Sequence, residues 1–420
     1  MARTPAIGII ADDFTGAVMV AGMLEGGGVA CPVLFRPEAA GEVAEAGALV
    51  AAARSRTVPP DAAREEIALW HDRLTEAGCA RIAYKACASF ESTAEGNIGP
   101  AADLLAERAG RRPVLMSAGF PRFGATVHQG YLFYRQRLVS DSIKRLDPLT
   151  PMEDPDLVRH LGRQSAHRVG LLGHLVLRRG GAAAEEALLA LAAEGVGHVL
   201  LDASDDGDIA VSADLAAGRD LPVVASDPLI VELALRLCPK GMASAPLAPP
   251  HGPVAVLAGS TGPVVMAQLA VLDHPVLTLD LLEAREPEAL VARALDWAAG
   301  QGGSFAISTA TDAAGLARSQ GAFGAAGAAR RAEEVLGQVA RGLHGRGLRR
   351  FAVAGGETSG AVVAAIGLGS ARALPEGPLG LGECLGQAGG EPVWLFLKPG
   401  KLGGEDALVQ AIRQGEGLLR

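Results

Sequence analysis

An apolar run, Ile7-Gly8-Ile9-Ile10-Ala11, ends in two adjacent carboxylates, Asp12 and Asp13, and a turn, Phe14-Thr15-Gly16; Ala17 through Glu25 then reads as a helix. A strand that stops at such a turn and feeds a helix is the opening unit of an α/β sheet. Ligands collect in the loops outside the carboxyl ends of such strands. Neighbouring side chains on an extended backbone point to opposite faces, so Asp12 and Asp13 are expected to divide labour. One carboxylate faces a ligand or metal, and the other caps the helix, whose free amides need an acceptor. Residue types alone leave a second reading open, in which both carboxylates only cap and solvate the turn.

The same rhythm continues along the chain. Strands are expected at Ala30–Phe35, Ala48–Ala53, Arg81–Lys85, Val114–Ser117, Val196–Asp202 and Leu221–Ser226, with helices at Pro59–Gly78 and Pro100–Arg108. Strand-then-helix alternation implies a parallel sheet covered on both faces. The stretch from Gly119 to Asp156 breaks the pattern and reads as an ordered substrate loop, long and irregular, with at most a hairpin. A second α/β block has strands at Val254–Leu257, Val276–Leu279, Phe305–Ser308, Phe351–Ala354 and Val393–Leu397. At 420 residues two domains are expected. The proline-rich run between Pro239 and Pro253 is the best linker. The fold class is therefore α/β with two domains, 1–238 and 254–420, joined by 239–253, each a mostly parallel sheet flanked by helices.

Lys plus Arg number 38 against 47 acids, a net charge of −9, which argues against nucleic acid or an anionic membrane as the partner. Apolar runs are broken by charge well short of a membrane span. The five cysteines are scattered and form no CxxC, which excludes a zinc ribbon and fits a reducing, cytoplasmic setting. Met1-Ala2-Arg3-Thr4-Pro5 leads at once into a strand and is not read as a signal peptide.

Three strand-to-helix turns in the second block are rich in glycine and hydroxyls: Ala258-Gly259-Ser260-Thr261-Gly262, Ala354-Gly355-Gly356-Glu357-Thr358-Ser359-Gly360, and Lys398-Pro399-Gly400-Lys401-Leu402-Gly403-Gly404. Such turns put backbone amides where an anion can be held, and glycine lets the backbone approach it closely. On one parallel sheet they would converge at its carboxyl edge as a nucleotide site. There is no GxxxxGK[ST], so a P-loop is excluded. No GxGxxG opens either block, which counts against a nicotinamide-dependent oxidoreductase. His160, His167 and His174 recur every seven residues, but Gly162, Gly170 and Gly173 interrupt any shared helix, so they are not read as a ligand face. Arg330, Arg331 and the arginines from Arg341 to Arg350 read as a solvated helix face and its end. Trp70, Trp297 and Trp394 read as packing residues.

Six stretches together resemble the four-carbon acid sugar kinase family. They are Ile10 to Ala17, Lys85-Ala86-Cys87, Ser92 to Pro100, Gln129-Gly130, Pro148-Leu149-Thr150-Pro151-Met152 and Gly355 to Gly360. The Ser92 to Pro100 and Pro148 to Met152 pieces are similar to its 3-oxo-tetronate branch. The resemblance implies an N-terminal domain for the acid sugar and a C-terminal domain for ATP, with transfer in the cleft between them. Carried over by position, nucleotide contacts fall on Ser260, on Gly355, Gly356, Glu357 and Thr358, and on Gly400 and Gly403. Substrate contacts fall on Arg56, Lys85, Ser89, Ser92, Thr93 and Asn97, with Asp12 and Asp13 as the catalytic carboxylates. The family often carries an acid where this chain has Met19, its Ser-Thr-Phe-Asp loop reads Ala88-Ser89-Phe90-Glu91 here, and the first and third glycine turns are altered.

The implied reaction is ATP-dependent phosphorylation of the terminal hydroxyl of a four-carbon 3-oxo acid. Asp12 would act as general base and Asp13 as the alternative, Lys85 and Arg56 would grip the substrate carboxylate, and Mg²⁺ would bridge the ATP phosphates. No residue is singled out as a metal ligand. A kinase for threonate or erythronate, and a non-catalytic nucleotide- and acid-sugar-binding relative, are the alternatives. A homo-oligomer is compatible with this reading, with no nucleic acid or membrane among the partners.

Overall fold

The computed structural model describes residues 4–43, 45–147, 149–239, 241, 247–259, 262–310 and 312–418. Two compact units emerge: Met1–Val20 with Gly27–Ala243, and Ala21–Gly26 with Ser244–Arg420. Of the expected linker, residues 240 and 242–246 lie outside the described residues.

In the first unit the elements run β1 (Ile7–Ala11), α1 (Phe14–Gly26), β2 (Pro32–Leu34), β3 (Ala48–Ala52), α2 (Pro60–Glu76), β4 (Arg81–Lys85), α3 (Ile98–Ala109) and β5 (Val114–Ser117). Then come β6 (Ala125–His128), β7 (Tyr131–Tyr134), β8 (Arg137–Leu138), α4 (Leu157–Gly162), β9 (Val169–Leu172), α5 (His174–Leu177) and α6 (Gly181–Ala193). The unit closes with β10 (His198–Leu201), α7 (Asp206–Arg219), β11 (Val223–Ala225) and α8 (Asp227–Leu237). The strand order is β2-β3-β1-β4-β11-β5-β10-β9, all parallel. β1 is apolar throughout and fully buried, as a strand covered on both faces must be. α2 buries Ala63, Ile67, Trp70 and Leu74, a stripe at helical spacing. Gly8 lets that helix approach, since a Cβ there would lie 2.9 Å from Ile82 and 3.1 Å from Leu74.

Between Gly119 and Asp156 the expected loop is more regular than the sequence pattern showed. β6, β7 and β8 form an antiparallel sheet with two two-residue turns. Gln129 and Gly130 in the first turn, and Arg135 and Gln136 in the second, all have positive φ, the geometry that matches strand twist in such hairpins. Three of the four lack the usual glycine, which concealed the turns. The first is clamped by Asp202, whose carboxylate accepts the Gln129 N–H at 2.5 Å and the Gly130 N–H at 2.9 Å.

The second unit runs β12 (Ala255–Ala258), α9 (Pro263–Ala270), β13 (Val276–Thr278), α10 (Pro287–Ala299), β14 (Phe305–Ser308), α11 (Ala313–Phe323) and α12 (Ala325–Gly345). It continues with β15 (Arg350–Ala354), α13 (Gly356–Ala365), β16 (Ser370–Ala373), β17 (Glu383–Ala388), β18 (Glu391–Lys398) and α14 (Ala407–Gly415). Strands β13-β14-β12-β15-β18 are parallel, and β17 and β16 extend the sheet antiparallel from β18. The antiparallel pair was not expected, because glycines dilute its alternation. Its core gathers Val254, Val256, Trp394, Phe396, Leu408 and Ile412.

Arg350 departs from the solvated reading. It is buried and donates from Nε to the Pro250 carbonyl at 2.6 Å and from Nη1 to the Gly252 carbonyl at 2.9 Å. The histidines have separate roles. His160 is buried on α4, His174 opens α5 with Nδ1 3.0 Å from Asp208, and His167 packs edge-on against His198. Among the described residues, no helix is long and apolar enough to cross a membrane.

Gly99, in the first turn of α3, lies against the backbone at Gln164. A Cβ there would overlap the Gln164 carbonyl oxygen and come within 2.7 Å of its carbonyl carbon. Gly99→Ala is expected to lose about 1–3 kcal/mol, read as a fall of about 2–4 °C per kcal/mol in the thermal midpoint. An unshifted midpoint would show that the α3 contact yields freely.

Candidate active site

From β1 the chain runs to β2 and β3 on one side, then returns across β1 to β4 on the other. This change of direction is where open α/β sheets bind ligands. Ala11 pairs with Ala52 and Lys85, and Lys85 with Ala225, so β1, β3, β4 and β11 end level with one another. The residues at or just past those ends are Asp12, Arg56, Lys85 and Asp227.

Their side chains meet. Arg56 grips Asp12 with both arms, Nε to Oδ2 at 2.8 Å and Nη2 to Oδ1 at 2.9 Å, and the Cys87 N–H donates to Oδ2 at 3.1 Å. Asp13 turns the other way and accepts the Gly16 N–H at 2.7 Å and the Thr15 hydroxyl at 2.8 Å, closing the first turn of α1. Arg56 Nη2 also stands 3.1 Å from Asp13 Oδ2. Lys85 Nζ lies between two carboxylates, 3.6 Å from Asp12 Oδ1 and 3.7 Å from Asp227 Oδ2. A Cβ at position 16 would overlap the Lys85 ammonium and crowd Asp13 Oδ1, so a side chain there would displace the cluster.

The charges respond to this packing. Burial opposes ionisation of Asp13, but Arg56, Lys85, the Gly16 N–H and the Thr15 hydroxyl outweigh it and hold its carboxyl below the ordinary range. Burial also opposes the Lys85 cation, yet Asp227, Asp12 and Asp13 hold its pKa above the usual value. Asp227 is pushed up, burial prevailing over the attraction of Lys85. Cys87 is pushed up to about 11, chiefly by burial, so the thiol stays protonated.

The remaining substrate-side candidates build the loops around this cluster. Asn97 Nδ2 donates to the Ser55 carbonyl at 2.6 Å and the Val58 carbonyl at 2.8 Å, tying down the segment that carries Arg56. Ser92 Oγ donates to the Phe90 carbonyl at 2.9 Å and is bonded to His160 and Gln164. Ser89 is buried, while Thr93 is exposed, its hydroxyl taking the Glu95 N–H at 3.3 Å. Glu91 is paired with Lys144 at 2.8 Å, a buried ion pair that anchors the loop. Phe90, fully buried, holds φ at +45°, a strained setting for an aromatic residue. Asp227 was missed by sequence reasoning. Its signal was an acid directly after the strand expected at Leu221–Ser226, the position that Asp12 holds after Ile7–Ala11.

In the second unit β12, β15 and β18 end side by side. The Gly355 N–H donates to the Lys398 carbonyl at 2.9 Å, and Gly355 holds φ at +128°, open to glycine alone. Gly356 opens α13, with Glu357 and buried Thr358 in its first turn, and a Cβ on Gly259 would overlap the Thr358 hydroxyl. Ser260 lies outside the described residues. Lys398 Nζ donates to the carbonyls of Pro399 at 2.9 Å and Leu402 at 2.7 Å. Gln268 Nε2 donates to those of Leu402 at 3.3 Å and Gly404 at 2.8 Å. Two buried side chains thus hold the carbonyls of the turn that carries Gly400 and Gly403. Burial alone lowers the Lys398 pKa to about 8, and among the described residues no carboxylate neutralises it. Among the described residues no group of three His, Cys, Asp or Glu is placed to hold a metal ion.

The depressed pKa of Asp13 fixes a sign. The folded state holds this proton less tightly than the unfolded chain, so the stabilisation is present above the unfolded value of about 4 and lost as pH falls through the folded one. Asp13→Asn is expected to lower stability at pH 7 and to flatten its decline below about pH 4. Urea unfolding at pH 7 and at about pH 3.5 checks this, and parallel curves for both proteins would contradict it.

Residues 7–233 match the model of a sugar-binding N-terminal domain, and residues 255–408 that of a nucleotide-binding C-terminal domain. A 3-oxo-tetronate kinase of Methylobacterium radiotolerans is 37% identical, covering 97% of this chain and 98% of its own. One from Cupriavidus necator is 36% identical, covering 99% and 98%. A crystal structure of a Salmonella typhimurium LT2 protein superimposes with a TM-score of 0.79 at 30% identity, covering 97% of this chain and 99% of that one. A Haemophilus influenzae protein follows at 0.68 and 28%, covering 96% and 98%. Full-length likeness of this kind, with both domain models matched in order, shows that the chain belongs to the four-carbon acid sugar kinase family.

Proposed function

We propose that this chain transfers the terminal phosphoryl group of ATP to the 4-hydroxyl of a 3-oxo-tetronate. The observation that carries the reading is likeness over nearly the whole chain to 3-oxo-tetronate kinases, with the Asp12–Arg56–Lys85 cluster at the turning point of the first sheet. The N-terminal domain expected at 1–238 would present the acid sugar, and the C-terminal domain expected at 254–420 the nucleotide, as the two domain descriptions support.

Phosphoryl transfer asks the protein for alignment and charge more than for covalent chemistry. A carboxylate offers about four lone-pair sites. On Asp12, Arg56 takes two and the Cys87 N–H a third, leaving one at Oδ1, where Lys85 is too distant to bond. Asp12 is therefore the base we assign. The substrate hydroxyl oxygen attacks the γ-phosphorus, its proton passes to Asp12 Oδ1, and the bond to ADP breaks with its electron pair leaving on ADP. Asp13 serves as the helix cap and second partner of Arg56. Arg56 and Lys85 stand already paired, so their part is to set the geometry of Asp12 more than to grip a carboxylate. Ser89 and Thr93 line the loop nearest the acceptor, with Ser92 and Asn97 fixing its shape.

On the nucleotide side the fit rests on the glycine backbone at Gly355, at the start of α13, and on the buried Lys398 cation, both suited to a polyphosphate. Gly355, Gly356, Glu357 and Thr358, with Gly400 and Gly403, would hold it. Mg²⁺ characteristically binds through one or two carboxylates plus substrate phosphates, so it would arrive with ATP and neutralise phosphate charge. The five free cysteines and the use of ATP suit a cytoplasmic enzyme with small-molecule partners only.

Measured as ADP release with ATP and a 3-oxo-tetronate, Asp12→Asn should lower kcat by about 10²-fold or more at little change in either KM. A near wild-type kcat would remove Asp12 from the base role. Lys398→Met should raise the KM for ATP about tenfold, the loss of roughly one charge-assisted hydrogen bond, and leave the KM for the acid unchanged. Turnover on threonate or erythronate in place of the 3-oxo acid would reassign the substrate within the family.

A further inference from the structure

Asp227 is a buried carboxylate with little visible reason to be there. It begins α8, where its carboxylate meets its own backbone N–H, but no side chain of the preceding Ser226 caps that helix, and Pro228, next in the chain, has no N–H to offer. Oδ2 has the Lys85 ammonium at 3.7 Å, while Oδ1 is buried without a hydrogen-bond partner among the described residues. An ionised group so placed is costly unless paired. With Asp227 the cluster holds three carboxylates, Asp12, Asp13 and Asp227, against two cations, Arg56 and Lys85.

Its effect falls on Lys85. The ammonium sits almost midway, 3.6 Å from Asp12 and 3.7 Å from Asp227, bonded closely to neither. A lysine facing Asp12 alone would close to the 2.7–2.9 Å typical of such pairs. That contact would fill the last acceptor site on Asp12 Oδ1. We propose that Asp227 is a positioning residue for phosphoryl transfer, holding the Lys85 ammonium off Asp12 so that Oδ1 stays open to the substrate hydroxyl. The proposal rests on the kinase reading with Asp12 as base.

Asp227→Asn keeps the shape and removes the charge. The expected result is a kcat at least tenfold lower with the KM for ATP within twofold of wild type. Because the harm is routed through Lys85, the same substitution made in Lys85→Met should change kcat less than twofold relative to Lys85→Met alone. A crystal structure of Asp227→Asn should show Lys85 Nζ within about 3.2 Å of Asp12 Oδ1. An equal loss in both backgrounds, a single-variant kcat within twofold of wild type, or an unmoved Lys85 would each overturn the proposal. Absence of ADP formation by the wild type would instead sink the kinase reading, and the crystallographic distance would still judge Asp227. Should Asp227→Asn not fold, Asp227→Ser is read in the same way.

Discussion

The two-armed grip of Arg56 on Asp12 is the contact that organises the first unit's carboxyl edge. It joins the loop after β3 to the end of β1 and leaves both carboxylate oxygens in fixed directions. A bidentate guanidinium–carboxylate pair is directional in a way a lysine pair is not. Everything nearby serves that pair or is constrained by it. Asn97 anchors the backbone on which Arg56 rides, the Cys87 amide completes one oxygen, and Asp13 gives the guanidinium a second anion while its own oxygens close α1. Gly16 is small because the Lys85 ammonium occupies the space a side chain would need.

The two carboxyl edges build their polarity by different means. The first concentrates side-chain anions around paired cations. The second presents the backbone amides at the start of α13, with Glu357 in that first turn, and a buried ammonium, Lys398, that donates to the carbonyls of Pro399 and Leu402. The transfer we propose, between a hydroxyl at the first edge and a polyphosphate at the second, draws on that difference. The acceptor side must take a proton, whereas the donor side must hold charge that is already there.

Much of this was legible in the residues. Apolar runs punctuated by glycine and proline located most strands, because strands buried on both faces have few alternatives to continuous Val, Ile, Leu and Ala. Asp12, Asp13, Arg56 and Lys85 could be read because each stands at or just beyond a strand end, where topology delivers side chains to one edge. What stayed hidden depends on partners distant in sequence. Arg350 was taken for a surface arginine, since nothing local reveals that Pro250 and Gly252 turn their carbonyls toward it. The isolation of Lys398 from carboxylates is likewise invisible in a lysine that follows a strand. Ser92 carries a hydroxyl in a family motif, and its commitment to His160 and Gln164 emerges only when α4 packs beside α3.

Met19 bears on how this edge came to be built. It lies one turn beyond Gly16, and residues three apart share a helix face. The face at Gly16 is the one against the Lys85 ammonium. An acid at position 19 would add its charge on the side of Lys85 nearest α1. Here that position is apolar and buried, and the second anion for Lys85 stands at the end of β11 as Asp227. A counter-charge at the start of α8, and not on α1, pulls the ammonium from the β11 side of the sheet. Lys85 stands almost midway between the two carboxylates, 3.6 Å from Asp12 and 3.7 Å from Asp227, while Arg56 and the Cys87 amide fix the directions of the Asp12 oxygens.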